Sequence, residues 1–262
     1  MRLAVTGAGG HMGREVLAAA SDRDGVEVAL AVNRSPVDSV EGYDVEDEAD
    51  LPRLLDERDP DVLVDFTVPD PSVRYVEACA EAGVAAVVGT TGFSDAQLDR
   101  VAAAAESTPV LRAANFARGV AALRRAIREA VAAVPAYDVE LTETHHNRKR
   151  DAPSGTALTI LDDVDEVREE PRSSGSRTES DGSDRVHGRK GEQPREDGEV
   201  GVHARRAGDV TGEHELLLAG NHEVLTLTHR AESRGVFAEG ALDAAEWLTG
   251  RPAGAYDFED ML

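Results

Sequence analysis

The sequence predicts an α/β protein: a Rossmann-type doubly wound parallel sheet joined to a second, α+β domain with a mixed sheet. Three observations carry this. A short apolar run, Arg2 to Thr6, leads into the glycine turn Gly7-Ala8-Gly9-Gly10-His11-Met12-Gly13 and then a helical pattern through Ala20. Apolar strand-like runs then alternate with helical segments as far as Phe116, which implies parallel strands with crossover helices. Beyond a long helix, the pattern changes to alternating strands around turns, as in antiparallel or mixed sheets.

The elements follow in order. Strand, glycine turn and helix together make a phosphate cradle, because glycine lets the backbone approach a pyrophosphate and the helix start presents free N–H groups. Val26 to Val32 is the second strand, and Asn33-Arg34 follows it. An acidic residue here would bind ribose hydroxyls, whereas an arginine suits a ribose phosphate, so NADPH is preferred to NADH and Arg34 is its contact. Residues 35 to 50 read as polar loop, and Leu51 to Arg58 as a short helix. Asp61 to Phe66 is a buried strand, Pro71 to Ala82 a helix and Val84 to Val88 a strand. Ser94, a plausible N-cap, opens a helix to Glu106, and Val110 to Ala114 is the next strand. In such sheets ligands lie at the C-terminal strand ends, here Thr67, Gly89-Thr90-Thr91 and Ala113 to Phe116.

Gly119 to Val134 is a long helix stopped by Pro135, and Tyr137 to Thr144 is a strand that delivers His145-His146. A helix runs from Ser154 towards Val167. Residues 169 to 198 are polar and read as a mobile, solvated loop. Strands resume at Val200 to Arg206, then Glu213 to Leu218 paired with Glu223 to Arg230 around Gly220-Asn221. The last helix, Gly235 to Leu248, is expected to return to the first domain. The expected division is 1–116 with 235–262 for the dinucleotide, and 117–234 between them for substrate and tetramer contacts.

Composition limits the partners. Asp and Glu number 51 against 28 Lys and Arg, a formal net charge of −23. That field repels nucleic acid and anionic membranes, so neither is an expected partner. No apolar run is long enough to span a bilayer. Cys79 is the sole cysteine, which excludes an intrachain disulfide and fits a reducing, cytoplasmic setting; its helical context makes it a small core residue rather than a nucleophile.

The stretch from Glu143 to Ala157 stands apart. It holds the histidine pair, Arg148, Lys149 and Arg150, then Asp151-Ala152-Pro153-Ser154-Gly155-Thr156. Lys149 and Lys190 are the only lysines. A histidine can take or give a proton, Lys149 is a second donor, and a helix start offers N–H groups and hydroxyls to a carboxylate. Such a set binds a small di-anion and protonates it. A zinc site would use His145, His146 and Asp151, but no cysteine or further histidine recurs at zinc spacing, so no metal is assigned. His187, His203, His214, His222 and His229 are given surface or structural roles.

This stretch resembles the signature of 4-hydroxy-tetrahydrodipicolinate reductases, also called dihydrodipicolinate reductases. The glycine turn, Asp65-Phe66-Thr67, Val88 to Phe93, Ala113 to Phe116, Arg206-Ala207-Gly208-Asp209 and Gly212-Glu213-His214 are similar to that family in the same order. The resemblance implies NAD(P)H-dependent reduction of 4-hydroxy-tetrahydrodipicolinate, a small dicarboxylate, to tetrahydrodipicolinate, on the diaminopimelate route to lysine, by a homotetramer. It implies His145 and Lys149 as the catalytic pair, with His146, Gly155, Thr156 and Arg234 on the substrate carboxylates. Gly7, Ala8, Gly9, Gly10, His11, Met12, Arg34, Gly89, Thr90, Thr91, Ala113, Ala114, Asn115 and Phe116 would contact the dinucleotide. The chain departs from the family at Ala117-Arg118, where a serine is common, and at Asn33, where many members carry an acid. Two rival readings are a cofactor-binding regulator without catalysis and a Rossmann oxidoreductase for another carbonyl such as a semialdehyde. Intact His145 and Lys149 count against the first, and the helical setting of Cys79 counts against a cysteine-dependent form of the second.

So acidic a chain, nearly emptied of lysine, resembles proteins of salt-accumulating organisms, in which salt screens the self-repulsion. The unfolding midpoint should therefore fall steeply as salt is withdrawn. A midpoint that stays flat across a salt titration would contradict this.

Overall fold

Seven strands run parallel in one sheet, in the spatial order Gly254–Tyr256, Pro109–Arg112, Ala85–Val88, Val62–Asp65, Arg2–Thr6, Glu27–Asn33 and Glu46–Asp47. They belong to a computed structural model that describes residues 1–169 and 184–262. These residues form two compact units, Met1–Ala117 with Arg234–Leu262, and Arg118–Ser233. The boundaries lie one residue from those expected: Ala117 is buried and its N–H bonds Asn115 Oδ1 at 2.8 Å, while Arg234 is the N-cap of the last helix.

In the first unit the strands are β1 (Arg2–Thr6), β2 (Glu27–Asn33), β5 (Glu46–Asp47), β6 (Val62–Asp65), β7 (Ala85–Val88), β8 (Pro109–Arg112) and β14 (Gly254–Tyr256). The helices are α1 (His11–Ser21), α2 (Leu51–Arg58), α3 (Pro69–Ala82), α4 (Asp95–Ala105) and α7 (Gly235–Leu248). Alternation along the strands feeds two cores, because successive side chains point to opposite faces. Ala4, Leu30, Val32, Leu63, Ala86, Val88 and Val110 pack with Leu51, Leu55, Val73, Val76 and Val101 of α2, α3 and α4. The intervening residues, among them Leu3, Val5, Val62, Val64 and Val87, are equally buried, and α1 and α7 pack together and against the strands. Each Val or Leu so buried contributes roughly 1.5–3 kcal/mol before chain entropy is subtracted. Phe116 is a core ring, edge-on to Phe66 at 5.4 Å and to Phe258 at 5.2 Å. Ser94 is the N-cap of α4, and its N–H bonds the side chain of Gln97 at 2.8 Å. Cys79 is fully buried, and burial pushes its thiol pKa up, away from any nucleophilic role.

The second unit holds a five-stranded mixed sheet, in the spatial order Arg185–His187, Val200–Arg206, Asp138–His145, Gly212–Gly220 and Glu223–Ala231. Its strands are β9 (Asp138–His145), β10 (Arg185–His187), β11 (Val200–Arg206), β12 (Gly212–Gly220) and β13 (Glu223–Ala231). The first three in spatial order are parallel, and the β9–β12 and β12–β13 pairs are antiparallel. Helices α5 (Arg118–Ala133) and α6 (Gly155–Glu169) pack on one face, where Leu123, Ile127, Ile160 and Val164 meet Val139, Leu141, Val202 and Leu216. Asp163, buried between the helices, is bonded by Arg124 at 2.6 and 2.9 Å and by Arg128.

Two loop readings are corrected, and one strand is added. Residues 35–50 contain β3 (Ser39–Val40), β4 (Tyr43–Asp44) and β5, which are too short to show a period; they persist because β3 and β4 pair and β5 extends the edge of β2. Within the stretch read as loop from 169 to 198, residues 170–183 lie outside the described residues, but Arg185–His187 is a strand. It exists through its partner: it pairs with β11, and Arg185 bonds Asp162 at 2.7 Å and Asp165 at 2.6 Å. Gly254–Tyr256, unassigned from sequence, pairs with β8. Among the described residues no helix is long and apolar enough to cross a membrane.

Candidate active site and dinucleotide cradle

β9 ends at His145, so the two histidines escape strict alternation: His145 closes the strand and His146 begins the turn. The pairing continues past the strand, with Ala207 N–H bonding His145 C=O at 2.9 Å and Asn147 N–H bonding Gly208 C=O at 3.1 Å. Two residues before the end lies Glu143, whose side chain has no exposed surface. Its Oε2 is 2.5 Å from His145 Nδ1. Arg206, directly across from His145 in β11, grips the same carboxylate with Nη1 to Oε2 at 2.8 Å and Nη2 to Oε1 at 2.7 Å. Ser154 N–H bonds Oε1 at 3.2 Å. Burial alone would raise the Glu143 pKa, but the bonds from His145 and Arg206 outweigh it and bring it to about 2. Glu143 is therefore an acceptor, and His145 Nδ1 must carry the proton it donates. Nε2 is left as the nitrogen free for chemistry, and it flanks Gly212, where a Cβ would stand 3.2 Å away.

Ser154 caps α6: its Oγ accepts Ala157 N–H at 3.2 Å, and its C=O accepts Leu158 N–H at 3.0 Å. The same Oγ is 3.1 Å from Nε2 of His214, which β12 places opposite Glu143. His214 is 3% exposed and packs edge-on to His145 at 5.2 Å. Burial chiefly, with nearby positive partners including His145 and Lys149, lowers its pKa to about 4, so it is a neutral ring wall at ordinary pH. Lys149 Nζ pairs with Asp151 Oδ2 at 2.8 Å, and that bond lowers the Asp151 pKa. Asp151 thus faces the lysine. His146 is half-buried and its C=O accepts Lys149 N–H at 3.2 Å. Gly155 is exposed and Thr156 half-buried, both in the first turn of α6. Glu143, Ser154, Arg206 and His214 were missed as site residues by the sequence reading. The motifs contained all four, but only the strand register shows that they meet.

In the other unit, the turn from Gly7 to Gly10 leads into α1, whose N-cap Gly10 offers no side-chain hydrogen bond. A Cβ on Gly13 would fall 2.2 Å from Gly7 O, so the helix start packs directly on the turn. The first-turn N–H groups, His11 and Met12 among them, are left for an anion, and these residues fit a pyrophosphate. Asn33 Oδ1 receives Gly9 N–H at 3.2 Å, and its amide bonds Ser35 C=O at 2.8 Å. Arg34 is exposed, with no ion-pair partner among the described residues. Ala8 and Thr90 are buried, Thr91 and Ala114 exposed, and Gly89 and Asn115 half-buried at the strand ends. Ala113 and Phe116 are buried, the ring of Phe116 belongs to the core, and its C=O lies against Gly240 of α7, where a Cβ would stand 1.7 Å away. Arg234 falls in this unit, apart in chain grouping from His146, Gly155 and Thr156.

The sequence profile of the dihydrodipicolinate reductase N-terminus matches residues 1–116, and that of the C-terminus matches residues 119–262. The chain belongs to the dihydrodipicolinate reductase family. A 4-hydroxy-tetrahydrodipicolinate reductase of Natronomonas pharaonis is 56% identical over 262 residues, covering 100% of both chains. One of Haloarcula marismortui is 52% identical, covering 100% of this chain and 98% of its own. Among solved structures, a dipicolinate-bound dihydrodipicolinate reductase from Paenisporosarcina sp. TG-14 has a TM-score of 0.80 at 27% identity, covering 100% of this chain and 99% of its own. The protein is an oxidoreductase of the reduction step in lysine biosynthesis through diaminopimelate, and its family implies a pyridine nucleotide as reductant.

Folding keeps His214 neutral, so the unfolded chain takes up this proton first. Its stabilising contribution is complete above about pH 6.5 and is lost as pH falls towards about 4. The shift amounts to on the order of 3 kcal/mol. His214→Asn should flatten stability against pH across that window, read as denaturant midpoints at constant salt. Equal slopes for both proteins would refute it.

Proposed function

We propose that the chain reduces 4-hydroxy-tetrahydrodipicolinate to tetrahydrodipicolinate, with NADPH preferred over NADH. The observation that carries the residue assignment is the buried Glu143–Arg206 clamp on His145 beside Lys149 and the start of α6. A bound reduced nicotinamide would supply the hydride. The chain's own residues do the rest. Glu143 holds His145 with Nε2 presented, so His145 can take or give a proton at that atom. Lys149, held near Asp151, gives a proton and a fixed positive charge. His146 and the first turn of α6 at Gly155 and Thr156 take the substrate carboxylates, supported by the free N–H groups of a helix start. Arg234 is assigned to the same task on the family resemblance.

Cofactor preference rests on the end of β2. Asn33 brings no carboxylate to repel a ribose phosphate, and Arg34 is a cation without an ion-pair partner among the described residues. The division of labour proposed is dinucleotide binding in the unit of α1 and substrate binding in the unit of α6, in a cytoplasmic homotetramer. One face of the five-stranded sheet supports the oligomer. It carries Val224, Thr226, Thr228 and Arg230 of β13, which are exposed, and α5 and α6 lie on the other face.

Lys149→Ala and His145→Gln should each lower kcat by roughly 10²–10⁴-fold, while the Kd for NADPH changes far less. Losses of NADPH affinity as large as the losses of kcat would contradict placing these residues on the substrate side.

A further inference from the structure

Asp65, the last residue of β6, has no exposed surface. Its Oδ1 accepts the hydroxyls of Thr6 at 2.7 Å and Thr67 at 2.6 Å, and its Oδ2 accepts that of Thr90 at 2.7 Å. It has no ion-pair partner among the described residues. Thr6 closes β1, Thr67 follows β6 and Thr90 follows β7. One carboxylate thus ties together the C-terminal ends of three adjacent parallel strands, which is where such sheets receive ligands.

A buried carboxylate without a cation is a poor source of stability, since desolvation opposes what its hydrogen bonds return. A valine in this core would serve packing better. What the carboxylate adds is direction. It fixes the rotamer of Thr67, whose methyl lies against Gly7: a Cβ at Gly7, where φ is +62°, would stand 2.7 Å from Thr67 Cγ2. It fixes Thr90 in the Gly89-Thr90-Thr91 turn, whose Gly89 N–H also bonds the Asp65 backbone C=O at 2.7 Å.

We propose that Asp65 is a positioning residue for the dinucleotide, holding the Gly7 turn and the Gly89–Thr91 turn in their binding shape through Thr6, Thr67 and Thr90. The inference rests on the dinucleotide reading of this unit. It acts through the threonines and touches no ligand itself.

The test is NADPH binding to the full-length protein at high salt, by titration calorimetry, alongside thermal melts. Asp65→Asn should raise the Kd for NADPH at least about tenfold, the scale of one lost charge-assisted hydrogen bond. The KM for the dicarboxylate substrate should stay within about twofold, because that site lies on other strands. Thr67→Val keeps the methyl and removes the hydroxyl, so it should reproduce part of the loss, and it reads the same link if Asp65→Asn does not fold. Melting temperatures that drop while the NADPH Kd of the folded variants stays at the wild-type value would overturn the proposal and leave Asp65 a stability residue. Wild-type protein that binds neither NADPH nor NADH would overturn the cofactor reading, and this proposal with it.

Discussion

Glu143 receives hydrogen bonds from three directions with none of its side chain in contact with solvent: from His145, from both Nη atoms of Arg206 and from the Ser154 N–H. Removing any one partner leaves a buried charge partly uncompensated, a cost of several kcal/mol. The arrangement is therefore all or nothing. β9 supplies the acid, β11 supplies the arginine in register with His145, and the cap of α6 supplies the N–H. Arg206 also reaches the Asp151 C=O at 2.5 Å, so the clamp fixes the turn that carries Lys149's partner. The orientation of the His145 ring and the start of α6 are both set by this one carboxylate, and His214 joins them through Ser154 Oγ.

The charge pattern refines the idea of a basic island in an acidic chain. Arg148 pairs with Asp209 at 3.2 Å, Lys149 with Asp151 at 2.8 Å and Arg206 with Glu143. Most of the local positive charge is thus already engaged within the protein. Arg150 has no ion-pair partner among the described residues. A di-anion approaching a −23 protein meets a set of directed donors rather than a bare positive patch. Directed donors are less sensitive to the high salt that so acidic a surface calls for.

Long periodic segments were legible in the sequence. The strand–glycine–helix opening, the alternation through β8 and the final helix all announce themselves by apolar spacing and breakers. Two- and three-residue strands were not, because β5, β10 and β14 are strands only by virtue of the neighbour that pairs with them. The candidate site divides the same way. His145, Lys149 and the Pro-Ser-Gly-Thr turn sit together in sequence and were readable. Arg206 and His214 come from 61 and 69 residues beyond His145 along the chain and join it only through the pairing of β11 and β12 with β9. Glu143 was in view, but a glutamate on a strand of an acidic chain reads as solvated until its burial is known.

The most direct measurement is a double-mutant cycle in kcat between Glu143 and His145, with Glu143→Gln, His145→Gln and the pair, each corrected for its folded fraction. If Glu143 works by orienting His145, Glu143→Gln should cost at least about tenfold in the wild-type background and almost nothing once His145 is gone. Losses that multiply independently in the double variant would contradict that role.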